Sequence, residues 1–114
     1  MALYFDTTEP KKLLTTFKTL IDQKHVVTWS YDRDGDFTHT PDQWKSRGWF
    51  RPVIFNGRLV MNFLGTKSEK TSAAVYGVYH GRFLESMLTH CDTLFSTGSA
   101  TALPTNSDMI TSAA

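Results

Sequence analysis

Four histidines (His25, His39, His80, His90), one cysteine (Cys91) and a short acidic run, Asp32-Arg33-Asp34-Gly35-Asp36, are the groups from which chemistry would have to be built. The acidic run spaces its carboxylates as a calcium loop does. Counted from Asp32, however, the sixth residue is Phe37 rather than Gly and the twelfth is Gln43 rather than Glu. The sharp turn and the bidentate ligand are both missing, so a solvated hairpin turn is the better reading. No two histidines have the i, i+4 spacing of a helical metal pair, and a lone cysteine cannot form Cys-x-x-Cys. No metal or other cofactor is expected.

Cys91 falls on the apolar side of a predicted helix, where a thiol behaves as a small inert hydrophobe. Its neighbour His90 points about 100 degrees away around that helix, so adjacency makes no dyad. The chain has no P-loop, no dinucleotide-binding glycine pattern, no Gly-x-Ser-x-Gly elbow and no His-Glu-x-x-His. No catalytic residue is assigned.

Two stretches point to binding instead. At Tyr79-His80-Gly81-Arg82-Phe83 an expected strand ends, a glycine permits a turn, and an expected helix begins. Free N–H groups beside Arg82 would suit a carboxylate or phosphate, with His80 as donor, so His80, Gly81 and Arg82 are the candidate small-anion site. In Trp44-Lys45-Ser46-Arg47-Gly48-Trp49-Phe50-Arg51, aromatic and basic residues are interleaved. Trp and Arg carry much of the binding energy at protein interfaces, which makes Trp44, Arg47, Trp49 and Arg51 the candidate interface. The same rings would also serve as core in a small domain.

The elements that must position these residues follow from periodicity. Pro10 opens a helix whose apolar stripe is Leu13, Leu14, Phe17, Leu20 and Ile21. From Val26 the period becomes two, and Asp34-Gly35 predicts a hairpin over about residues 26–38. Thr40-Pro41-Asp42-Gln43 reads as a capping box opening a short helix at residues 41–47, stopped by Gly48. Asn56-Gly57, between β-prone runs at 49–55 and 58–64, predicts a hairpin with a type I′ turn. Pro52 cannot donate to a ladder, which places it at an edge or facing solvent. Residues 65–72 read as a loop, 73–79 as a strand, residue 82 onward as a second amphipathic helix, and 99–103 as a weak strand. The fold class expected is α+β, an antiparallel sheet of four to six strands covered on one face by two helices. Residues 1–105 form the expected domain and 106–114 a tail.

Composition narrows the function classes. Twelve Lys and Arg against eleven Asp and Glu leave a formal charge of +1, so a nucleic-acid partner is not expected. A hydrophobic share of 40% is too high for a disordered chain, and no apolar run approaches the about 20 residues of a membrane span. One cysteine and a start without a basic, apolar leader fit a cytoplasmic protein. Three Trp and eight Phe are many for one small core. The expectation is a non-catalytic module of inhibitor, immunity or accessory type that binds a protein partner or itself. The alternative is a small-ligand protein or enzyme with its anion site at His80–Arg82.

Overall fold

Six strands form one antiparallel sheet in the computed structural model, which describes residues 2–66, 68 and 70–103. In chain order the elements are β1 (Ala2–Asp6), α1 (Pro10–Asp22), β2 (Trp29–Tyr31), β3 (Phe37–His39), β4 (Gly48–Phe55), β5 (Arg58–Gly65), α2 (Ala73–His90) and β6 (Thr97–Ala100). A single 3-10 turn, Asp92–Leu94, links α2 to β6. The strands lie in the order β2-β3-β4-β5-β1-β6. The expected α+β class is therefore the one observed, and β1 is an inner strand between β5 and β6.

Both helices pack on one face of this sheet. Alternation along the strands decides which side chains meet them: Leu3 and Phe5 of β1 and Leu59, Met61 and Phe63 of β5 point inward, as does Phe50 of β4. From α1, Phe17 meets Phe37 and Phe83; from α2, Phe83 reaches Trp29 and Phe50. Much of the aromatic excess is thus core, and each fully buried Phe or Trp contributes about 1.5–3 kcal/mol. Gly48 is part of that packing. A Cβ there would lie 2.3 Å from the Phe63 ring, so the ring rests on bare backbone.

Three local expectations change. Residues 73–79 are helix rather than strand, because Val75, Tyr79, Phe83 and Met87 recur every four residues and all are buried. Ser72 caps that helix by accepting from Val75 N–H. Residues 41–47 make successive turns rather than a helix, with Ser46 at φ 58°, and Gly48 opens β4. At Asn56-Gly57 only Gly57 has positive φ (81°), so the turn is not type I′, although the two-residue connection and its register hold.

Pro52 behaves as its chemistry requires. Among the described residues, strand β3 pairs with β4 only at Phe37–Phe50, and no other strand pairs with β4 from Arg51 onward on that side. With Phe55 and Arg58 closing the hairpin, Pro52 occupies a position whose nitrogen looks away from β5. The expected tail at 106–114 lies outside the described residues.

Candidate interaction surface

The face of the sheet opposite the helices carries no helix among the described residues. Register places its side chains in rows across β4, β5 and β1. Trp49 lies beside Leu64; Arg51 beside Asn62, which faces Ala2; Val53 beside Val60, which faces Tyr4; and Phe55 beside Arg58, which faces Asp6. Trp49, Val53, Leu64 and Tyr4 are half-buried, and Phe55 is 54% exposed. Val60 and Asn62 sit in the middle of the face and are closed over by these neighbours, at 5% and 9% exposure.

Both arginines of this face are held by carboxylates. Arg51 donates from Nε to Asp36 Oδ1 at 3.0 Å and from Nη2 to Asp36 Oδ2 at 2.8 Å, a bidentate pair whose acid is buried. The hydrogen bonds to Asp36, its charge, and the charges of Asp34 and Asp32 raise the Arg51 pKa. Arg58 Nε donates to Asp6 Oδ1 at 2.8 Å, and its guanidinium lies 4.9 Å over the Tyr4 ring. The face is aromatic and apolar, and its positive charges are locally neutralised.

The four interface candidates separate. Trp49 and Arg51 lie on this face. Trp44 packs against the core, and its carbonyl accepts from the Tyr79 hydroxyl. Arg47 is exposed at the start of α2, where with Lys70 and Ser72 it lines a cavity of about 120 Å³. Tyr4, Val53, Phe55 and Leu64 were not singled out in sequence. The period-two alternation of β4 and β5 is the signal that places them together once the inward face is known.

His80, Gly81 and Arg82 are brought together differently from the expectation. They lie in the middle of the 18-residue α2, so the strand-to-helix junction is absent and their N–H groups fall within the helix. His80 is 4% exposed, its Nδ1 is 2.8 Å from the Tyr76 carbonyl, and its ring centroid lies 4.1 Å from that of Tyr76 with the planes tilted by 36°. Gly81 and Arg82 are exposed. Free helical N–H groups belong to the true start of α2, after Ser72.

Other chemistry finds little to build on. Cys91 is buried, and burial with the nearby Asp92 pushes its thiol up to about 11, away from thiolate chemistry. Among the described residues no three His, Cys, Asp or Glu converge on a point, and no helix is long and apolar enough to cross a membrane. A cavity of about 290 Å³ between Asp6–Glu9 and Thr93–Ser96 is lined by carboxylates and hydroxyls, with Asp6 engaged by Arg58 and Glu9 by Lys12. Comparison with protein-family models, curated proteins and solved structures finds no match.

Proposed function

We propose that this chain is a non-catalytic protein-binding module, of inhibitor, immunity or accessory type, that engages its partner through the helix-free face of the sheet. The reading rests on one observation above all: Trp49, Val53, Phe55, Leu64 and Tyr4 share a face on which no described helix lies. Trp and Tyr beside Arg are the residue types that dominate binding energy at protein interfaces. Strands β4 and β5, the longest of the sheet, form its floor.

The same geometry argues for a protein over a polyanion. A nucleic-acid platform needs aromatic rings with unneutralised cations beside them, whereas Arg51 and Arg58 each carry a carboxylate partner. Placing a photo-reactive p-benzoylphenylalanine at position 49 tests the proposal in an extract of the native host. A saturable adduct with one protein species is expected, and the same group in place of Glu85 on α2 should give none. If position 49 yields only diffuse labelling equal to that control, the proposal falls.

A further inference from the structure

We propose that Asn56 is a self-modifying site: in the folded chain its side-chain amide is lost by attack of the Gly57 backbone nitrogen, leaving aspartate and isoaspartate at position 56. The two residues form the exposed tip of the β4–β5 hairpin. Among the described residues neither the Asn56 carboxamide nor the Gly57 N–H has a hydrogen-bond partner, so nothing holds either reactant back. Gly57 carries no side chain, and a Cβ there would have no atom within 4 Å, which leaves the approach of Asn56 to the nitrogen unhindered. On its other side Gly57 is anchored, its carbonyl accepting from Thr7 N–H at 3.1 Å.

Water is the only co-reactant. A base in solvent takes the Gly57 amide proton, the nitrogen closes a five-membered ring on Asn56 Cγ, and the side-chain nitrogen leaves as ammonia. The succinimide so formed then adds water. Opening at Cγ gives aspartate; opening at the main-chain carbonyl gives isoaspartate, whose backbone runs through the side chain. The net change is one water consumed, one ammonia released, and a formal charge that falls from +1 to zero.

Asn62 shows what the fold prevents elsewhere. It is 9% exposed, its backbone lies in β5 between Arg51 and Ala2, and the residue after it is the buried Phe63. Ring closure there would require β5 to leave the sheet. At position 56 only the hairpin tip must flex, and such tips open at little cost. The isoaspartate carries one additional backbone carbon, about 1.5 Å of chain, or roughly half the rise of a strand residue. A two-residue connection cannot absorb that by a register shift, so Phe55 and Arg58 lose their alignment. The modification therefore ages the end of the sheet face on which Phe55 and Arg58 lie.

Incubation of the full chain at pH 8.5 and 37 °C, followed by peptide mass spectrometry with fragments that separate the two products, tests this. A gain of one mass unit is expected at position 56, with both products present and Asn62 unchanged. Urea well below the unfolding midpoint should leave the rate unaltered; a rate that climbs with urea places the reaction in the unfolded chain and overturns the native-state site. An unmodified position 56, while the same protein unfolded in urea is converted, overturns it as well. Asn56→Gln, which would need a six-membered ring, should keep its mass, and an equal gain in that variant overturns the ring-closure route. Asn56→Asp carries the new charge without the additional carbon and should melt close to the fresh protein. Aged protein rich in isoaspartate should melt lower than either; an equal melting temperature overturns the loss of alignment.

Discussion

His39 lies directly across the β2–β3 ladder from Trp29, with ring centroids 4.5 Å apart and planes inclined by 31°. Its Nδ1 is 2.7 Å from the Thr28 carbonyl, so that nitrogen carries the proton and donates. The buried Nε2 has no hydrogen-bond partner among the described residues. Burial is the main cause lowering its pKa and the Arg82 charge adds to it; the Thr28 hydrogen bond and the Glu85 charge oppose them.

That relationship predicts acid sensitivity. The unfolded chain takes up the His39 proton near pH 6.5, while the folded chain resists until lower pH. The stabilisation is thus fully present above about pH 6.5 and is lost as the pH falls toward the folded value, by at most about 1.4 kcal/mol per pH unit. Urea midpoints at pH 7.5 and 5.5 should differ in the wild type, and the difference should shrink in His39→Phe. An equal acid effect in both proteins would remove His39 as the cause.

Asp36 is buried beneath a half-exposed Arg51, and its hairpin joins the sheet through few ladder contacts. Arg51→Ala leaves that carboxylate unpaired and should cost about 1–2 kcal/mol, after allowing for solvent screening on the arginine side. Asp36→Asn should cost less, because no buried charge is stranded. A double-mutant cycle by chemical denaturation that gives no coupling between positions 36 and 51 would contradict this assignment.

Phe63 needs the space above Gly48. Gly48→Ala is expected to destabilise by about 1–3 kcal/mol through overpacking. Phe63→Leu should recover part of that loss in the double variant while being destabilising alone. Strictly additive thermal melts would show that the ring does not rest there.

Much of the sheet was legible in the sequence because its signals are local. Asn56-Gly57 set the β4–β5 register, and the Pro10 helix followed from its stripe. The error at residues 73–79 has a physical source: Val75-Tyr76-Gly77-Val78-Tyr79 fits a period of two and is rich in β-formers. Burial of Val75, Tyr79, Phe83 and Met87 against the sheet overrides that preference, and nothing inside the segment announces it. The proposed binding surface was half visible. Trp49 and Arg51 were found from residue type, but which face of β4 the helices would cover depends on long-range packing. Trp44 has the same chemistry and went to the core for that reason.

Pro52 limits what the molecule can become. The part of β4 beyond β3 is a strand margin at which another chain could begin to polymerise, and the ring there offers no hydrogen to the incoming backbone. Assembly through strand addition is discouraged at that margin.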